Sequence, residues 1–178
     1  AGKGDKPAAV AFDDDAVISG QGTIGFELLD QDPEIEEILV PAGGGGLLAG
    51  VAVAVKALNP RVRVVGVQSR AMDGIRRSLE AGGVVASPAA RTIADGVAVA
   101  GPSERTFALV RAYADEVIAC PDEAIAHAMA LLLERSKFVV EGAGALGVAA
   151  LQSGAYRPRG RTAVVLSGGN VDINLIGS

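Results

Sequence analysis

Ile38-Leu-Val-Pro-Ala-Gly-Gly-Gly-Gly-Leu-Leu-Ala-Gly50 is the stretch whose reading decides the fold. Ile38, Leu39 and Val40 predict a short buried strand. Leu47 to Leu58, twelve residues with Lys56 as the single charge, predict a helix, because such a run exceeds ordinary strand length. Strand, glycine turn and helix follow in that order. A helix start leaves backbone N–H groups without intrahelical partners and carries partial positive charge, and glycines let an anion reach those donors without meeting a Cβ. The stretch therefore reads as a phosphate cradle.

Several occupants compete for it. A nucleoside triphosphate loop needs Lys and Ser or Thr after its last glycine, where this chain has Leu47 and Leu48. A dinucleotide site is compatible with Gly44-x-Gly46-x-x-Ala49 but requires an acid about twenty residues on to hold a ribose. The predicted next strand, Arg61 to Gln68, ends in an amide instead. A smaller phosphate ester, such as pyridoxal phosphate, needs only consecutive backbone amides. The bland alternative is a tight turn in which glycine serves helix–strand packing alone.

The composition narrows the class. With 178 residues, 49% of them hydrophobic, the chain suits one core of ordinary size. A net charge of −5 without a basic run argues against a nucleic-acid partner. One Cys and one His exclude an internal disulfide framework and the common structural zinc patterns. A reduced, cytoplasmic setting is the default expectation, with no membrane-spanning run and no signal-peptide layout.

Outward from the glycine stretch, residues 1–11 read as a lead-in and 12–178 as one domain. Asp13, Asp14 and Asp15 are expected to cap a helix over Ala16–Leu29. The glycines at 20, 22 and 25 cost that helix about 1 kcal/mol each relative to Ala, so something should approach its backbone closely. A short helix is expected over Asp73–Leu79 and an irregular segment up to Arg91. Thr92-Ile-Ala-Asp-Gly-Val97 reads as a turn in which Asp95 either bonds the turn or meets a ligand. Helices over Ser103–Ala114 and Ala124–Ser136 flank a strand at Val117–Ala119. The second helix has an apolar stripe of Ile125, Met129, Leu132 and Leu133, with His127 on its solvated side. Glu141 stands between an apolar, strand-like pair, Val139-Val140, and a glycine-rich helix start. Ala163-Val-Val-Leu-Ser-Gly-Gly-Asn170 repeats the opening grammar of a buried strand emptying into small residues. In open parallel sheets ligands sit at the C-terminal strand ends, so two glycine-lined ends are expected to converge. The expected fold is α/β, three-layered, with a mostly parallel sheet covered by helices on both faces.

Gly20-Gln-Gly-Thr-Ile24, Val40-Pro-Ala-Gly-Gly-Gly-Gly-Leu47, Thr92-Ile-Ala-Asp-Gly96, Leu133-Glu-Arg135 with Val140-Glu-Gly-Ala-Gly144, and Leu166-Ser-Gly-Gly-Asn-Val171 are in register with one known group. In order and spacing they resemble the threonine dehydratase and serine racemase group of fold type II pyridoxal-phosphate enzymes, over roughly Phe12 to Asp172. The resemblance implies part of the large domain of the tryptophan synthase β-like fold and pyridoxal 5′-phosphate as cofactor. It implies that Gly43, Gly44, Gly45, Gly46 and Leu47 bind the phosphate through backbone amides and that Ser167 faces the pyridine nitrogen. Gly96, Glu141 and Gly168 match positions lining the cofactor.

The implied reaction is deamination of L-threonine, and of L-serine, to a 2-oxo acid and ammonia by a homo-oligomeric enzyme. The alternatives are a serine racemase and a non-catalytic phosphate-ligand fragment. In relatives the Schiff-base lysine precedes the Gly-Gln-Gly-Thr motif, and Lys3, Lys6, Lys56 and Lys137 match nothing of the kind. The chain alone is therefore expected to be inactive. Gln68 stands where metal-dependent relatives place a carboxylate, so no metal site is expected. That amide and Asp95-Gly-Val-Ala-Val99 favour the dehydratase.

Overall fold

A computed structural model describes residues 11–171; the lead-in expected at the start lies almost wholly outside them. The first helix, α1 (Asp15–Gln31), is followed by β1 (Glu37–Pro41), α2 (Gly46–Leu58) and β2 (Arg63–Ser69). Next come α3 (Gly74–Ala81), α4 (Glu104–Tyr113), β3 (Glu116–Cys120), α5 (Asp122–Leu131), α6 (Leu146–Gln152) and β4 (Thr162–Val164). The four strands form one parallel sheet in the order β3-β2-β1-β4.

Alternation along the strands divides the core into two layers. Ile38, Val40 and Val64 face α1, α2 and α4, whereas Leu39, Val65 and Val67 face α5 and α6. Every residue of β1 is buried, because helices cover both faces. That is why the strand reads as an unbroken apolar run, not an alternating one.

Asp14 caps α1, accepting from the N–H groups of Ala16 (2.8 Å) and Val17 (3.2 Å). The helix glycines have a packing cause. A methyl on Gly50 of α2 would run into the carbonyl oxygen of Ile18, and one on Gly22 would stand 3.1 Å from the Gly50 oxygen. Gly25 lies equally close to Val55 and Ala54. The two helices touch backbone to backbone. Gly20 differs from the expectation, since nothing lies within 4 Å of the space its side chain would fill.

Three local expectations need correction. The helix expected through Ser136 ends at Leu131 and continues as a π turn, Leu132–Ser136, closed by Lys137 at φ 61°. Leu133, expected on the buried stripe, is 37% exposed because that turn rotates it outward. Val139-Val140 forms no strand. Val139 is exposed, and only Val140 reaches the core.

At the N-terminal edge of the sheet, Glu37 is buried to 1% exposure. It accepts from the Tyr156 hydroxyl (2.7 Å), the Arg159 N–H (2.9 Å) and the Thr162 hydroxyl (3.1 Å). The Arg63 Nε stands 3.6 Å away. This carboxylate joins the start of β1 to the loop that delivers β4. Lys56 lies at the same edge, paired with Asp115 at 2.8 Å and donating to the Val62 carbonyl. The glycine stretch lies at the opposite edge. Among the described residues no helix is long and apolar enough to cross a membrane.

Candidate active site

β1 passes into the glycine run through Ala42, whose N–H still donates to Val67 of β2 at 2.9 Å. Gly45 then adopts φ 96°, the left-handed region that favours glycine, and α2 starts at Gly46. The next paired amide is Ala49 N–H, on the Gly45 carbonyl at 2.8 Å. Between those two, the six N–H groups of Gly43, Gly44, Gly45, Gly46, Leu47 and Leu48 donate no hydrogen bond to any described residue. A helix start accounts for four unpaired donors. Six in succession, on residues that are mostly buried, call for an acceptor from outside, because buried N–H groups are otherwise paired.

Each glycine is also crowded. A methyl on Gly44 would stand 2.5 Å from the Phe12 ring and one on Gly46 2.6 Å from the Phe12 carbonyl oxygen. One on Gly43 would meet Val97 at 3.0 Å, and one on Gly45 would meet Thr106 at 3.1 Å. The tight-turn alternative thus explains the missing side chains as well as a cradle does. It leaves the row of unpaired donors unexplained.

A second cluster forms around Glu141. Its carboxylate lies in the space that methyls on Gly96 and Gly168 would occupy, with Gly168 at φ 78°. It accepts from the Asn170 N–H at 3.1 Å, while its own N–H donates to the Gly168 carbonyl at 3.3 Å. The neighbouring Ser167 is half-buried. Its carbonyl packs on Gly144, and its hydroxyl makes no hydrogen bond to the described residues. The two clusters meet at the strand ends. Leu39 pairs with Val164, Val165 N–H donates to the Leu39 carbonyl, and Val97, next to Gly96, backs Gly43. Gly43, Gly44, Gly45, Gly46 and Leu47 therefore share one edge of the sheet with Gly96, Glu141, Ser167 and Gly168.

Sequence reasoning missed the residues that hold these loops. Asp122, the first residue of α5, accepts from the Thr92 hydroxyl (2.8 Å), the Ser69 hydroxyl (3.1 Å) and the Ile93 N–H (2.9 Å). It fixes the Thr92–Val97 turn. An acid opening a helix was the available signal, but its partners lie 30 and 53 residues away. Asp95 is exposed and bonds the Gly96 N–H at 2.8 Å, which is the turn-forming alternative. His127 is exposed on α5. Burial pushes the Cys120 thiol up to about 11, so it is an inert core group. Among the described residues no three His, Cys, Asp or Glu side chains gather as a metal-ligand set.

Residues 6–168 match the family described as pyridoxal-phosphate dependent enzyme. The chain belongs to this family. Members of the pyridoxal-phosphate family similar to it include an L-threonine ammonia-lyase of Thermotoga maritima, 47% identical over 165 residues, covering 93% of this chain and 41% of that protein. The catabolic L-threonine dehydratase of Escherichia coli is 41% identical over 168 residues, covering 93% and 51%. The chain thus spans about half the length of these relatives.

Among solved structures, a T.th. threonine deaminase superposes with a TM-score of 0.85 at 48% identity, covering 91% of this chain and 61% of that one. Maize serine racemase gives 0.84 at 40%, covering 90% and 50%. The donor set fits the family's cofactor: a row of unpaired amides suits a phosphate monoester, and a free hydroxyl at Ser167 suits a ring nitrogen.

Proposed function

We propose that this chain is the phosphate-holding part of a pyridoxal-phosphate-dependent L-threonine ammonia-lyase that also accepts L-serine and works as a cytoplasmic homo-oligomer. The observation that carries the reading is the run of six unpaired amides from Gly43 to Leu48. The amides of Gly43, Gly44, Gly45, Gly46 and Leu47 hold the phosphate, with the N-terminus of α2 adding its partial positive charge. Ser167 presents its hydroxyl to the pyridine nitrogen. A neutral hydroxyl carries no negative charge to stabilise a pyridinium as a carboxylate does, so Ser167 would leave the nitrogen largely unprotonated. Glu141, Gly96 and Gly168 would form the wall beside the ring; the missing side chains at 96 and 168 make room for the Glu141 carboxylate. When bound, the cofactor supplies an electron sink for bonds broken at the substrate Cα. By leaving that nitrogen unprotonated, Ser167 would suit loss of a β-hydroxyl over transamination.

None of this chain's described lysines serves as the covalent anchor in this reading. Lys56 is paired with Asp115 at the far edge of the sheet, and Lys137 folds back to donate to the Glu134 carbonyl at 2.6 Å. Mixing the chain with pyridoxal phosphate and reducing with borohydride is expected to leave no site-specific adduct in a peptide map. A single stoichiometric adduct on one lysine would overturn that point.

Phosphate recognition is tested with pyridoxine 5′-phosphate, which has no aldehyde, against pyridoxine. Charge-assisted bonds to the phosphate should favour the ester by about tenfold or more in a calorimetric titration. Equal affinity for the two would refute the cradle. A longer protein carrying this chain should release 2-oxobutanoate from L-threonine. The likeness to maize serine racemase favours a second reading, and chiral chromatography of L-serine incubations decides between them, with D-serine exceeding pyruvate if the racemase reading holds.

A further inference from the structure

Two carbonyls, that of Gly44 within the glycine run and that of Ala42 just before it, are held from behind by buried side chains. Thr106, fully buried in the first turn of α4, donates its hydroxyl to the Gly44 oxygen at 2.7 Å. The Thr106 hydroxyl oxygen accepts the Ser103 N–H at 3.0 Å in the capping box of α4, and the Gly44 oxygen is the nearest acceptor for its proton, closer than the Ser103 hydroxyl at 3.2 Å or the Ser103 carbonyl at 3.4 Å. Gln68, fully buried in β2, donates its amide to the Ala42 oxygen at 3.2 Å, while its own oxygen accepts the Arg76 N–H at 3.0 Å.

A peptide unit is planar, so fixing a carbonyl on one side fixes the following N–H on the other. The bond to Gly44 O therefore aims the Gly45 N–H, and the bond to Ala42 O aims the Gly43 N–H. Consecutive glycines have no Cβ to resist rotation of a whole peptide unit. Their orientation must come from outside the run.

We propose that Thr106 and Gln68 are positioning residues that turn the Gly45 and Gly43 amides toward the phosphate by anchoring the carbonyls behind them. This rests on the cradle reading above. The test measures affinity for pyridoxine 5′-phosphate in four variants of the full chain. Thr106→Val keeps the shape and removes the proton. Thr106→Ser restores the proton. Gln68→Met removes the second donor, and Ser103→Ala weakens the helix cap while leaving the Thr106 to Gly44 bond in place.

Thr106→Val and Gln68→Met should each weaken binding about tenfold, equivalent to about 1.4 kcal/mol, with pyridoxine affinity unchanged. Thr106→Ser should stay within about twofold of the parent, a few tenths of the effect of losing the bond. Ser103→Ala should lower the melting temperature and leave affinity intact. Parent-level affinity in folded Thr106→Val, or an equal loss in Ser103→Ala, overturns the positioning role alone. Should Thr106→Val fail to fold, parent-level affinity in Gln68→Met overturns it. Failure of the parent chain to prefer the phosphate ester over pyridoxine overturns the cradle reading itself.

Discussion

Replacing Glu37 with leucine is expected to lower the unfolding free energy by about 3–5 kcal/mol, the usual effect of removing one partner from a buried charged network. Leucine matches the volume but accepts nothing. The Tyr156 hydroxyl, the Arg159 N–H and the Thr162 hydroxyl would lose their common acceptor, and Arg63 would keep only Glu116 of its two carboxylate partners. Each stranded donor carries a desolvation penalty.

The pH dependence of this difference gives a second check. Burial pushes the Glu37 carboxyl up, but the bonds from Tyr156, Arg159 and Thr162 and the charge of Arg63 outweigh it and hold the group below its ordinary 4.5. A carboxylate with a depressed native pKa stabilises the fold fully above its unfolded value, and the contribution fades as pH falls through the native one. The gap between parent and Glu37→Leu should therefore be widest near neutrality and shrink below about pH 4.5. Buried Asp73 behaves alike. Burial raises it, the bonds from Arg77 and Arg76 lower it more, and it stays below 3.8. Parent stability should decline in the same acid window. Urea unfolding followed by far-ultraviolet circular dichroism, at several pH values, measures all of this. A gap that widens on acidification would contradict the assignment.

Gly50→Ala is expected to cost about 3 kcal/mol, at the upper end for a single added methyl, because the obstacle is backbone and cannot swing aside. The new Cβ would overlap the Ile18 carbonyl oxygen and press on the Gly22 nitrogen, forcing α1 away from α2. The urea midpoint should fall with little change in slope. Gly20→Ala serves as the opposite case on the same pair of helices. Its Cβ meets nothing, and Gly20 is exposed within α1, so helix propensity alone acts and stability should rise by about 0.5–1 kcal/mol. A loss of similar size at both positions would show that the close contact between α1 and α2 is not what sets the cost at Gly50.

That contrast marks where the sequence stops being informative. The glycines of α1 announced a close approach, but not which of them made it, nor that α2 was the neighbour. Leu133 followed the helical stripe faithfully and still faces out, since the turn after Leu131 widens from α to π geometry. Val139-Val140 had strand composition without a strand to pair with. For the glycines a contact distant in sequence decided the outcome; for Leu133 and Val139 the π turn and the non-strand backbone that follows it did.

The apolar strands, the turn chemistry between them and the alternation of strand with helix came from local composition, because burial on both faces requires continuous hydrophobic runs whatever the partner. The order β3-β2-β1-β4 brings the loop after β1 beside the loop after β4; these stand far apart in the chain, and only strand pairing puts them together. Sequence alone pointed to the amides of Gly43 to Leu47; that the run from Gly43 to Leu48 is unpaired among the described residues came from the structure. Their direction depends on Thr106, 62 residues from Gly44, and on Gln68, 26 residues from Ala42. Glycine leaves a peptide unit free to turn, so the fold and not the local sequence determines which way its donors point.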